Sequence, residues 1–162
     1  MPLDNLGIVC SGLWRCAQPR TDGFAVLSDV LNVTTVVKLN DNGEFADQQE
    51  KDSFKNGDVI CEPYPRLFFV PPKQKVLATV QKIIGFLDTG KCVAVHCSHG
   101  IDRTGLIIGA FRIIRLGWTM KQVQEERYRY GASPFRDVPD HLIVELLEKI
   151  AAGHGQNAVR HG

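Results

Sequence analysis

The chain has 162 residues, 44% hydrophobic and 23% charged, with a formal net charge of +1. That is enough for one domain with a sizeable core, and the charge is too balanced for any global pull toward nucleic acid or an acidic membrane. No apolar run approaches the roughly 18 residues of a membrane span, and Met1-Pro2-Leu3-Asp4 lacks the basic-then-apolar pattern of a signal peptide.

Residues 1–21 read as a strand or loop lead-in, extended at its end by Gln18-Pro19. Thr21 or Asp22 caps a short helix to about Leu31. Val33 to Leu39 is β-branched and apolar, a central strand broken by Asn40-Asp41-Asn42-Gly43. Phe45 to Lys55 suits a polar, exposed helix, and Val59-Ile60-Cys61 a short strand ended by Pro63 and Pro65. Pro71 or Pro72 then starts a helix whose apolar face is Val76, Leu77, Val80, Ile83, Ile84 and Leu87. Val93 to Val95 is a buried strand, followed by a helix from Thr104 to Leu116 that is apolar almost all round. Thr119 and Gln122 make a capping box for a helix to about Tyr130. The last helix spans about Asp137 to Ala151. Strands alternating with helices predict a single α/β domain over residues 1–152, with a short, mostly parallel sheet of four or five strands flanked by helices. Residues 153–162 are expected to be a disordered tail.

The stretch that carries chemistry is His96-Cys97-Ser98-His99-Gly100-Ile101-Asp102-Arg103-Thr104-Gly105. A strand, a glycine-bearing loop and a helix start point backbone N–H groups and a helix dipole at one spot, which makes an anion cradle. Arg103 can close on a phosphate with a bidentate fork. Cys97 lies at the start of the loop, where the same field favours its thiolate. The spacing Cys-x5-Arg alone arises by chance about a third of the time in such a composition; with the flanking His, Gly and Thr the chance drops to the order of one in ten thousand. An active thiol needs a reducing compartment, so a cytoplasmic protein is expected, nuclear as well if the source is eukaryotic. The other cysteines, Cys10, Cys16, Cys61 and Cys92, show no Cys-x2-Cys pair for zinc and read as buried or half-buried hydrophobes. No metal, cofactor, DNA partner or membrane insertion is expected, and the oligomeric state is open.

His96-Cys97-x5-Arg103-Thr104-Gly105 resembles the signature of the cysteine-dependent phosphatases, on the small dual-specificity side. Leu13-Trp14-Arg15-Cys16-Ala17-Gln18-Pro19 is similar to the LYRSAQP segment near the start of many such domains, and Gly117-Trp118-Thr119 to their GWS or GWT helix start. The likeness runs from about Leu13 to about Ile150. It implies a protein-tyrosine-phosphatase-like fold and hydrolysis of phosphomonoesters through a phosphocysteine. Cys97 would then be the nucleophile. Arg103 and the N–H groups of Ser98, His99, Gly100, Ile101 and Asp102 would bind phosphate oxygens. Thr104 either donates to the Cys97 sulfur or simply caps its helix, and His96 organises the loop from beneath.

The general acid departs from the family pattern. Relatives place an Asp about thirty residues before the Cys, but Tyr64-Pro65-Arg66-Leu67-Phe68-Phe69 holds no carboxylate. Three readings stay open. Asp102 resembles the Asp of the DRT triplet in myotubularin-type and Sac-type lipid phosphatases. Asp41 can reach the site from a neighbouring loop. Or no acid is used, because the leaving group is already good, as for RNA 5′-triphosphatases with a similar loop. Arg66, Lys73 and Lys75, and separately Arg127, Arg129 and Arg136, are candidate rim cations for a multiply phosphorylated substrate. Phe68 and Phe69 are core or substrate wall. The substrate is expected to be a phosphorylated protein, with an inositol polyphosphate, a phosphoinositide or an RNA 5′-triphosphate as alternatives. A phosphate-binding module without turnover is the remaining reading.

Overall fold

The computed structural model describes residues 2–66, 70–136 and 140–161. The lead-in is a tight antiparallel hairpin, β1 (Gly7–Cys10) and β2 (Leu13–Cys16), turned at Gly12 with φ +83°. Helix α1 (Thr21–Ala25) is shorter than expected. Neither Thr21 nor Asp22 caps it; the N-cap is Arg20, and past Ala25 the chain loosens into a π-type turn over Val26–Val30. Strand β3 (Thr35–Lys38), helix α2 (Asp47–Ser53), strand β4 (Asp58–Cys61) and helix α3 (Lys73–Asp88) follow. Strand β5 (Val93–His96) feeds α4 (Asp102–Leu116), and α5 (Met120–Arg129) and α6 (Asp140–His161) complete the chain. The predicted Asp137 start of α6 lies outside the described residues, and the helix runs past the end expected at Ala151.

The five strands lie in the order β1-β2-β5-β3-β4. All neighbours are parallel except the β1–β2 pair. This is the mostly parallel sheet flanked by helices that the alternating pattern predicts. β3 and β5 are buried along their whole length, which is why neither alternates apolar with polar residues. Helix α4 is buried from Arg103 to Ile113 and forms the centre of the larger core with Leu13, Val95, Val80 and Leu147. A smaller core of Leu3, Phe24, Leu27, Val36, Phe54 and Ala94 covers the other face of the sheet. The capping box of α5 is present: Thr119 Oγ1 accepts from the Gln122 N–H, and the Gln122 side chain accepts from the Thr119 N–H. No helix among the described residues is long and apolar enough to cross a membrane.

The register of the sheet assembles the site. Cys16, His96 and Lys38 are level with one another on β2, β5 and β3. The segments that follow these three residues therefore leave the sheet side by side, at the C-terminal ends of parallel strands, where open α/β sheets bind ligands.

Candidate active site

Cys97 begins the loop after β5 and is 2% exposed. The Thr104 hydroxyl, in the first turn of α4, donates to its sulfur at 3.0 Å. Of the two roles open to Thr104, the contact with sulfur is the one present; the N-cap of α4 is Ile101. Burial pushes the thiols of Cys10, Cys16, Cys61 and Cys92 up, so those four stay protonated. No cysteine is paired, and all four are buried or half-buried as expected.

Arg103 sits at the far end of the loop, and Glu44, a residue the sequence did not single out, decides its orientation. Arg103 Nη1 donates to Glu44 Oε2 at 2.6 Å and Nη2 donates to Oε1 at 2.8 Å, a bidentate fork. Nη1 also donates to the Tyr64 carbonyl at 3.1 Å. The Ser98 hydroxyl donates to Glu44 Oε1 at 3.0 Å. Hydrogen bonds from Arg103 hold the Glu44 carboxyl well below the usual carboxylate range, at about 2. Lys38, fully buried at the end of β3, shapes the turn that carries Glu44. Its Nζ donates to the carbonyls of Asn40 and Asp41 and to the Asp47 carboxylate. A local signal for Glu44 existed in Asp41, three residues earlier: Asp41 Oδ1 accepts from the Glu44 N–H at 3.0 Å, and Glu44 Oε2 accepts from the Asp41 N–H at 3.0 Å.

His96 lies beneath the loop with no exposure. Its Nδ1 donates to the Cys97 carbonyl at 3.2 Å, and its Nε2 is 2.6 Å from Glu50 Oε2. A carbonyl only accepts, so Nδ1 is the donor there, and both ring nitrogens are engaged. Glu50 corrects the reading of Phe45–Lys55 as an exposed helix: α2 is shorter, and it buries this acid completely against His96. Gln18 Nε2 donates to the other Glu50 oxygen at 2.8 Å and Asn40 Nδ2 donates to Gln18 Oε1 at 2.9 Å. His96, Glu50, Gln18 and Asn40 are thus joined in one hydrogen-bonded chain around the foot of the loop.

The two candidate acids sit differently. Asp41 flanks the site through its turn with Glu44. Asp102 opens α4 and accepts from Arg136 Nη2 at 3.3 Å. The proposed rim cations divide. Arg66 donates to Glu44 Oε1 at 3.3 Å and is largely exposed. Lys75 donates to the Pro63 carbonyl and stands over the Tyr64 ring. Arg127 is 1% exposed and paired with Asp140, so it is a core ion pair and not a rim cation. Phe68 and Phe69 lie outside the described residues. On the outer flank of the loop a shallow cleft of about 630 Å³ is lined by Asp4, Asn5, Gln18, Arg20, Ser98 and His99 together with Ala17, Ile101 and Tyr130, as much apolar as polar.

Comparison with known proteins agrees with this geometry. Inositol diphosphatase DSP4 of Arabidopsis thaliana is 27% identical over 156 residues, spanning 91% of this chain and 74% of its own. The dual specificity protein phosphatase TpbA of Pseudomonas aeruginosa strain UCBPP-PA14 is 28% identical over 139 residues, 86% of this chain and 60% of its own. The core catalytic domain of the S. cerevisiae PP-IP phosphatase SIW14, crystallised with citrate, superimposes with a TM-score of 0.75 at 20% identity over 98% of this chain and 95% of its own, a likeness of fold. The family model for the DSP-PTPase phosphatase of polymorphic toxin systems matches residues 9–117, from the hairpin to the end of α4. A buried thiol under a hydroxyl, a guanidinium at the far end of a five-residue loop and that match agree: the chain belongs to the DSP-PTPase phosphatase family of polymorphic toxin systems, within the cysteine-dependent phosphatases.

Proposed function

We propose that the protein hydrolyses phosphoanhydrides of a small polyphosphorylated molecule, an inositol diphosphate group being the best fit, through a phosphocysteine. The Cys97 thiolate attacks the terminal phosphorus, an S–P bond forms and the P–O bond to the leaving phosphate breaks. Arg103, oriented by Glu44, and the inward N–H groups of the loop stabilise the equatorial oxygens in the transition state. Water then attacks the cysteinyl-phosphate, and Thr104 eases departure of the sulfur anion by its hydrogen bond.

The observation that carries the substrate class is the commitment of the carboxylates near Arg103. Glu44 is held ionised by Arg103, Asp41 accepts from the Glu44 N–H, and Asp102 accepts from Arg136. Each of these three carboxylates already accepts a hydrogen bond, and we take none of them as the proton donor. A serine alkoxide needs one; a phosphate leaving group does not. The names of DSP4 and SIW14 point the same way.

Tyrosine or dual-specificity protein phosphatase activity is the second reading. The named activity of TpbA favours it, and a phenoxide is also a tolerable leaving group. The deciding experiment is a panel of a diphosphoinositol polyphosphate, triphosphorylated RNA, a phosphotyrosine peptide and a phosphoserine peptide, with Cys97→Ser as control. Preference for the diphosphoinositol substrate by tenfold or more in kcat/KM supports the proposal. Preference for the phosphotyrosine peptide replaces it with the second reading. Turnover that survives Cys97→Ser overturns both, and tight binding without turnover would make the protein a phosphate-binding module.

A further inference from the structure

Successive carbonyls of the loop are fixed from outside by one stretch of chain, residues 5–18. The Ser98 carbonyl accepts from the Gln18 N–H at 3.1 Å. The His99 carbonyl accepts from Asn5 Nδ2 at 3.3 Å. The Gly100 carbonyl accepts from Asn5 Nδ2 at 3.2 Å and from Arg15 Nη2 at 3.0 Å. In a trans peptide the C=O and the following N–H point in opposite directions. Each carbonyl drawn outward therefore turns the next residue's N–H inward, and those residues are His99, Gly100 and Ile101.

Arg15 is a costly residue to place there. It is 1% exposed, its guanidinium lies 3.7 Å over the Tyr130 ring, and Nη1 is 3.6 Å from Glu126 Oε1. Its Nε and Nη1 have no hydrogen-bond partner among the described residues. The hydrogen bond that this buried cation does make among the described residues goes to the Gly100 carbonyl. Asn5 is held in an unusual backbone conformation that asparagine tolerates. Its φ is +55°, a left-handed conformation, and Nδ2 also donates to the Tyr130 carbonyl at 2.9 Å. The loop in turn lies hard against β2. Gly100 has φ +70°, and a Cβ there would stand 2.7 Å from backbone atoms of Cys16 and Ala17.

We propose that Asn5 and Arg15 are positioning residues that set the polarity of the phosphate-binding amides by holding the His99 and Gly100 carbonyls outward. The proposal rests on the reading of the 98–103 loop as an oxyanion cradle. It extends the working site to an N-terminal turn that touches neither Cys97 nor Arg103. A simple packing role for the two residues would affect stability alone, whereas a positioning role affects anion affinity.

The test compares wild type with Asn5→Ala, Asn5→Asp and Arg15→Met on three readouts: melting temperature, inhibition by vanadate, and the rate of Cys97 alkylation by iodoacetate relative to iodoacetamide. The last ratio reports attraction of an anion to the cradle and needs no turnover. Asn5 is partly exposed, so its variants are expected to fold even where Arg15→Met does not. Asn5→Asp, which sets a carboxylate against three carbonyls, should weaken vanadate inhibition at least tenfold and lower the alkylation ratio in step, with kcat/KM on an aryl phosphate falling by the same factor. Folded Asn5 variants whose vanadate inhibition and alkylation ratio stay within twofold of wild type would overturn the proposal. Wild-type protein indifferent to vanadate would overturn the cradle reading itself.

Discussion

In the proposed mechanism the sulfur of Cys97 must both attack and depart, and Thr104 serves the second act. Removing its hydroxyl leaves the sulfur without its 3.0 Å hydrogen bond. Thr104→Ala is expected to slow hydrolysis of the phosphoenzyme more than its formation. Rapid-quench kinetics with an aryl phosphate should then show a burst of phenol and a kcat lower by about a hundredfold to a thousandfold, the range of a single lost transition-state donor. Glu44 yields a pH prediction. Its carboxyl sits at about 2, below an ordinary carboxylate near 4.3. A lowered native value means that the stabilisation is complete above the unfolded value and disappears as pH falls toward the folded one. The stability gap between wild type and Glu44→Gln should therefore be full at neutral pH and shrink between about pH 4 and pH 2. Urea unfolding at several pH values checks this, and a gap that widens on acidification would contradict it. At neutral pH the same variant should lose kcat/KM, because an amide cannot hold the Arg103 fork in place.

At the scale of elements, α4 is the hinge of the design, and Gly109 is its closest contact. A Cβ there would meet Val123 at 2.9 Å and Leu147 at 3.3 Å, so the glycine lets α5 and α6 pack tightly onto α4. Gly109→Ala is expected to destabilise the fold by about 1–3 kcal/mol, as overpacking does, despite the better helix propensity of alanine. Chemical denaturation measures it, and a stabilised variant would show that the three helices can part at no cost. This element also marks what a sequence can reveal. The α4 run, the β3 and β5 runs and the α5 capping box are legible because each signal is local and strong. Cys97, Arg103 and Thr104 are legible because seven or fewer positions separate them. Glu50 was not: it sits among polar neighbours, and only the adjacency of β3 and β5 brings it under His96. The β1–β2 hairpin was half-hidden because four-residue strands with an irregular register carry too few alternations to recognise. Asn5 carries no local signal, and for Glu44 the Asp41 three residues earlier marks a turn but not the partner. Their partners lie 94 and 59 residues away in sequence, and strand order, not local pattern, brings them together.

For the whole molecule, the consequence is that the N-terminal hairpin belongs to both the sheet and the site. β2 pairs with β5 from Leu13↔Val93 to Cys16↔His96, and Arg15 is one of two guanidiniums that neutralise the buried Glu126. Leu3, 6% exposed, contributes to the smaller core, and Asn5 pins the loop. Two truncations separate these contributions. Deleting residues 1–6 removes Leu3 and Asn5 but leaves the five-stranded sheet. That protein should unfold cooperatively at a lower temperature, and vanadate should raise its melting temperature much less than it raises that of the full chain, since ligand stabilisation follows affinity. Deleting residues 1–16 removes β1 and β2, uncovers one edge of β5 and leaves Glu126 with Arg112 alone. An exposed, apolar central strand is a template for pairing between chains, so this protein should lose its cooperative transition and associate. Circular dichroism melts and size-exclusion chromatography read both outcomes. A cooperative, monomeric transition in the longer truncation would mean that β5, α4 and the rest of the larger core stand without the hairpin. Full vanadate stabilisation in the shorter one would mean that the loop keeps its inward amides without Asn5.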